Sequence, residues 1–170
     1  ALPIVPAGVT GLVSLAAWGP FKENMPPGTF VLVDQFVDRT HKRESSFFGR
    51  VLVAHVSMAH PVSPRLRIHL AAAAQAENIA VVRDGTYVCM EGPQFSTLAD
   101  SLTYKQFGYS VIGMTNMPEA KLAREAELRY ATVAMVPDFA SWHTDPSAVQ
   151  GPDPGQVLAP NPRQPPTPET

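Results

Sequence analysis

Apolar and polar positions along this chain fall into short runs whose period changes several times. Thr29–Asp34 (TFVLVD) is an apolar run behind a Pro-Pro-Gly turn, the pattern of a buried strand. Val51–His55 (VLVAH) has the same character and predicts a second strand. Pro64 then opens an Ala- and Leu-rich stretch, Arg65–Glu77, whose residue types favour helix, with Asn78 as its stop. Ile79–Arg83 and Thr86–Met90 are strand-like runs flanking Asp84-Gly85, the dipeptide of a type I′ turn, so the pattern predicts a hairpin. Beyond the Gly92-Pro93 break, Ser96–Phe107 predicts a helix with apolar positions at Leu98, Leu102 and Phe107, ended by Gly108. Tyr109–Met114 predicts a strand, Pro118–Leu128 a helix with outward charges, and Tyr130–Val136 a last strand. This alternation predicts an α/β domain with a mixed central sheet flanked by helices.

The ends differ from this middle. Residues 1–27 are apolar without a clear period and are interrupted by prolines, which predicts an irregular segment. The domain proper is expected over 28–149. Eight prolines fall within residues 146–170, so 150–170 is expected to be an irregular or disordered tail. Ala1–Ala17 has no basic flank and contains Pro3, Pro6 and Gly8, which argues against a signal peptide, and no run reaches membrane-spanning length.

Composition narrows the function classes. The 170 residues suit one domain, and the 45% hydrophobic content suits a packed core. Thirteen basic against fifteen acidic residues give a formal charge of -2, which leaves no basic field for a nucleic-acid backbone. Neither nucleic acid nor membrane is expected as a partner. The one cysteine, Cys89, cannot form an internal disulfide and fits a reducing, cytoplasmic setting.

Four stretches sit where strands end or helices begin, the usual ligand positions in α/β proteins. In Glu91–Thr97 (EGPQFST), Phe95 is placed either to stack on a flat heterocycle or to fill the core; Ser96 suits a ring hydrogen bond or an N-cap. In Ile112–Glu119 (IGMTNMPE), Met114 suits a sugar face or core filling, and Thr115 an anion, with Thr115 or Asn116 as a helix cap the alternative. In Val136–His143 (VPDFASWH), Asp138 follows an apolar strand beside Pro and Phe. Such surroundings can raise a carboxyl pKa and fit it to give or share a proton, and the alternative is a capping or solvated turn Asp. His55 and His60 straddle a turn without helical ligand spacing or an acidic or thiolate neighbour, so no metal site is expected. His41 reads as part of an exposed charged loop with Lys42, Arg43 and Glu44. No dinucleotide, P-loop, nucleophile-elbow or paired-cysteine motif is present.

Taken together, PGTFVLVDQFVDRT (27–40), AHVSMAHPVSPRLR (54–67), GTYVCMEGPQFSTLADS (85–101) and IGMTNMPEAKLAREAELRYATVAM (112–135) resemble the trimeric purine nucleoside phosphorylases, nearest their methylthioadenosine and methylthioinosine branch. The resemblance covers about residues 19–149. It implies part of the phosphorylase/hydrolase-like nucleoside phosphorylase fold. The reaction it implies is phosphorolysis of 5′-methylthioadenosine or methylthioinosine to free purine and 5-methylthioribose 1-phosphate. No cofactor is implied, inorganic phosphate being the co-substrate. By motif, Phe95 would stack on the base, Ser96 would sit in the base pocket and Met114 would lie against the ribose. Thr115 would contact phosphate, and Asp138 would face purine N7 as the catalytic acid. His55 would line the 5′ end of a neighbouring subunit's pocket, implying a homotrimer.

The chain departs from this family in places. Where the branch has Thr-Asp-Tyr-Asp-Cys-Trp, this chain has Pro137-Asp138-Phe139-Ala140-Ser141-Trp142, so the second acid is Ala140. The family's glycine-rich phosphate loop has no counterpart, and Ala16–Phe21 (AAWGPF) stands where a threonine and a Gly-Ser-Leu turn are usual. The resemblance is expected to stop at Trp18 and at Val149, as shifted reading frames at both ends would produce. A competing expectation follows, that of a catalytically inactive family remnant that binds purines or family subunits.

Overall fold

The computed structural model describes residues 8–17, 19–22, 25–49 and 51–136. Asp138 and the proline-rich tail lie outside the described residues. The elements run β1 (Gly11–Ala17), β2 (Gly19–Pro20), β3 (Phe30–Leu32), β4 (Gln35–Arg39), α1 (Pro64–Ala76), β5 (Val81–Arg83), β6 (Thr86–Met90), α2 (Leu98–Gln106), β7 (Val111–Gly113), α3 (Glu119–Glu125) and β8 (Arg129–Met135).

They form two mixed four-stranded sheets with helices alongside, ordered β1-β8-β3-β5 and β2-β7-β6-β4. The sheets share a device. β3 and β5 pair in parallel in the first, while their continuations β4 and β6 pair in parallel in the second. The joint lies at Asp34 and at Asp84-Gly85, so that dipeptide is a crossing between sheets and not the expected hairpin. Asp84 takes φ 73°, and the Asp34 carboxylate accepts from the Gly85 N–H at 2.8 Å. A Cβ on Gly85 would stand 2.8 Å from Val31 Cγ1, so only glycine lets the two chains pass this closely.

Two further expectations are corrected. Residues 11–17, expected to be irregular, form β1, in parallel register with β8 from Gly11↔Arg129 to Ala17↔Met135. The run 51–55, expected to be a strand, forms none: Val51 is 97% exposed, and backbone without a neighbouring strand has no ladder to join.

The main core gathers Val31, Val33, Tyr87, Cys89, Val111, Tyr130 and Ala134 from the sheets, with Ala120 and Ala123 from α3. Those two alanines are fully buried and let α3 lie close on β8. A smaller cluster joins Phe21, Val88 and Ile112 beneath Tyr104 of α2. α1 begins at Pro64 behind Ser63, whose hydroxyl accepts from the Leu66 N–H. α2 begins two residues later than expected, because Thr97 and Asp100 form a capping box. Leu98, Leu102 and Phe107, the expected apolar face of α2, are about half exposed, and the buried position is Ser101.

Candidate active site

β4, β6 and β7 run parallel, so their carboxyl ends share one edge of the second sheet. Three connections leave that edge, at residues 40–48, 91–97 and 114–118. In an open α/β sheet this is where ligands settle, because loop N–H groups and side chains converge beyond the strand ends.

Two of these connections touch. Gly92, with φ 74°, lies so close to Met114 that an added Cβ would stand 2.6 Å from its sulfur. Thr115 follows with an exposed side chain, its hydroxyl donating to Asn116 Oδ1 at 3.1 Å. The Thr115 carbonyl accepts from the Tyr87 hydroxyl at 3.0 Å and from the Cys89 thiol. Burial pushes both of these groups up in pKa, so each stays protonated and remains a donor at neutral pH.

Beneath Thr115, Asn116 is buried at 2% exposure with φ 68°. Its Nδ2 donates to Tyr130 Oη at 2.8 Å and to Thr132 Oγ1, and Tyr130 in turn donates to Glu119 at 2.7 Å. The bend after β7 therefore rests on a buried polar network in which each donor meets an acceptor. Asn116 is not the α3 cap, a position held by Pro118 without a side-chain bond.

Glu91 and Arg43 close the third side. Glu91 Oε2 accepts from the His41 and Lys42 N–H groups at 2.6 and 3.0 Å, and Oε1 from Arg43 Nε at 3.0 Å. These bonds, the two backbone ones foremost, hold the Glu91 carboxyl down to about 2. Arg43 is thus half-buried and fully engaged, against the expectation of an exposed charged loop. Nearby, burial raises the Asp38 carboxyl, but Lys121 and Thr40 outweigh it and leave the pKa lowered.

The sequence-predicted residues divide accordingly. Met114 and Thr115 stand in this cluster, and Phe95 and Ser96 lie on the connection that Gly92 opens. Phe95 is 86% exposed, so it is not a core residue. The Ser96 hydroxyl pairs with that of Ser101 at 2.8 Å, and the helix cap is its neighbour Thr97. His55 is exposed on the 51–63 connection, which Gln35 ties through Ala59 O to the opposite end of β4. Arg43, Tyr87 and Tyr130 were not singled out from sequence, and Asn116 was read only as a helix cap. For Arg43 no local signal was available, since its partners Glu91 and Met117 lie 48 and 74 residues away.

An open cavity of about 690 Å³ lies elsewhere, between residues 56–64 and the α3–β8 connection. Arg124, Arg129, Glu125 and Glu127 all line it, so its charges offset one another, and none of the five predicted site residues among the described residues does. Among the described residues no group of three or more His, Cys, Asp or Glu is placed to hold a metal, and no helix is long and apolar enough to cross a membrane.

A mixed sheet with loops converging beyond its parallel strand ends is the architecture of a ligand-binding α/β protein. The phosphorylase superfamily profile matches residues 4–155, and the chain belongs to that superfamily. The match runs past both points where resemblance was expected to stop. Among relatives, S-methyl-5′-thioadenosine phosphorylase of Bradyrhizobium diazoefficiens is 78% identical over 155 residues, 91% of this chain and 53% of that protein. The protein of the same name from Cereibacter sphaeroides is 64% identical over 136 residues, 80% of this chain and 47% of that protein.

Among solved structures, a methylthioadenosine phosphorylase from an antarctic soil metagenomic library superposes with a TM-score of 0.82 at 48% identity. That superposition covers 87% of this chain and 53% of the other. Methylthioadenosine phosphorylase from Schistosoma mansoni in complex with tubercidin gives a TM-score of 0.79 at 35% identity, with 82% and 57% covered. The chain spans about half the length of the curated relatives it matches.

Proposed function

We propose that the chain carries the nucleoside- and phosphate-facing half of a phosphorylase that cleaves 5′-methylthioadenosine, or methylthioinosine, with inorganic phosphate. A phosphate oxygen forms the new bond to C1′ while the C1′–N9 bond breaks and its electron pair leaves with the purine. The products are free base and 5-methylthioribose 1-phosphate. No covalent nucleophile is needed; the protein orients two reactants and stabilises the departing base. The observation that carries this reading is the contact between the Gly92 and Met114 connections, beside the exposed Thr115. Phe95 provides a free aromatic face for the base, Ser96 a hydroxyl in the base pocket, Met114 a surface for the ribose, and Thr115 a hydroxyl for phosphate. Asp138 lies outside the described residues and is assigned the proton at N7. His55 is exposed on the 51–63 connection, free for a role in a second subunit's pocket and hence in a homotrimer. No cofactor enters this scheme, and a cytoplasmic location accords with it.

The extent of identity with the Bradyrhizobium relative favours this reading over an inactive remnant. The test is phosphate-dependent release of free base from methylthioadenosine and from methylthioinosine by the purified chain, with Asp138→Ala alongside. Release that needs phosphate and is lost in the variant supports the assignment. A folded chain that releases no base from either nucleoside sinks it.

A further inference from the structure

The Arg43 guanidinium has five N–H donors in a planar fork, and here it makes five contacts on other parts of the chain. Nε donates to Glu91 Oε1 at 3.0 Å. Nη2 donates to Met90 O at 3.2 Å and Glu91 O at 2.8 Å. Nη1 donates to Met117 O and lies 3.8 Å from the Cys89 sulfur. A side chain on the connection after β4 thus grips the end of β6 and the connection after β7, across 46 to 74 residues of sequence. Glu91 returns the grip by accepting the His41 and Lys42 N–H groups.

The neighbours of these contacts are the candidate ligand positions. Glu91 precedes Gly92, which abuts Met114, and Met117 lies two residues beyond Thr115. The 114–117 connection is therefore held at Thr115 O from β6 and at Met117 O by Arg43. We propose that Arg43, locked by Glu91, is a positioning residue that sets where Met114 and Thr115 stand relative to the 91–97 connection. The proposal rests on the phosphorolysis reading above. Lysine keeps the charge but has three donors on one atom and cannot span three carbonyls and a carboxylate.

The test compares the wild-type chain with Arg43→Lys, Glu91→Gln and Lys121→Met. The last breaks the Asp38 ion pair on the same sheet and serves as a stability control. Amide deuterium uptake at 91–97 and 113–118 is measured together with Tm, kcat and KM for methylthioadenosine and phosphate. Uptake at these two segments rises in Arg43→Lys while that at 129–135 does not change. kcat/KM falls about ten- to a hundredfold, the loss of one or two charge-assisted hydrogen bonds. Lys121→Met loses a similar Tm but keeps kcat/KM within twofold, and Glu91→Gln falls between it and Arg43→Lys. The proposal is overturned if uptake at 91–97 and 113–118 is unchanged, or if kcat/KM tracks Tm alike in Arg43→Lys and Lys121→Met. Should Arg43→Lys not fold, Glu91→Gln decides by the same two readouts. A wild-type chain that releases no base refutes the phosphorolysis reading alone, and the uptake comparison still decides for or against Arg43.

Discussion

Gly92→Ala is the substitution whose cost can be worked out most directly. Gly92 holds φ 74°, and an alanine there costs about 1–2 kcal/mol in backbone strain alone. The new methyl would also stand 2.6 Å from Met114 Sδ, about 1 Å inside an ordinary contact. A thioether on a flexible stem can turn away, so this part adds roughly 1 kcal/mol instead of breaking the fold. The sum is about 2–3 kcal/mol, a Tm drop of roughly 4–12 °C for a chain of this size. The assay is urea denaturation of Gly92→Ala, Met114→Ala and the double variant. Removing the thioether relieves the clash but not the φ strain. The double variant should therefore be more stable than the sum of the singles by about 1 kcal/mol, a coupling measurable in a mutant cycle. Additivity within about 0.5 kcal/mol, or a neutral Gly92→Ala, would refute the contact between the two connections.

Tyr130→Phe removes a hydroxyl that accepts from Asn116 and Thr132 and donates to Glu119; chemical denaturation should show a loss of about 1–3 kcal/mol from the orphaned polar groups. Phe95→Ala should leave Tm within about 1 °C, since the ring is 86% exposed, yet raise KM for the nucleoside about tenfold if the ring stacks on the base. Glu91 titrates near 2 when folded against 4.5 in its ordinary state, so the unfolded chain binds more protons between these values. Its contribution is present above about pH 4.5 and lost as pH falls toward 2, and Glu91→Gln should flatten the acid limb of a stability-against-pH curve in that window.

Local signals in the sequence were reliable where structure is local. Thr86–Met90 is a strand with the expected bounds, and Pro64 opens α1 behind its Ser63 cap. Asp84-Gly85 misled because a left-handed Asp and a closely approached Gly serve a sheet crossing as well as a hairpin turn. The partners that decide between them, Leu32 and Val31, lie some fifty residues away. Val51–His55 has strand-forming side chains and no described strand beside it, a matter of pairing that composition does not encode. β1 was missed for the converse reason: its prolines lie upstream of Gly11, and its partner β8 is more than a hundred residues later.

At the site, the motifs placed Phe95, Ser96, Met114 and Thr115 where strands end or helices begin, but residue type alone left each with a core or capping alternative. Exposure closes that alternative for Phe95, and Thr97 takes the cap from Ser96. Arg43 could not be read locally, since its neighbours Lys42 and Glu44 look like any solvated charge run.

The central claim is phosphorolysis, and the most direct test is the fate of phosphate. Phosphorus NMR of the chain with methylthioadenosine and inorganic phosphate should show a sugar 1-phosphate ester growing in step with free adenine, and neither product when phosphate is withheld. Adenine released without a sugar phosphate would mean hydrolysis, and a folded chain that leaves both reactants untouched would contradict the account outright.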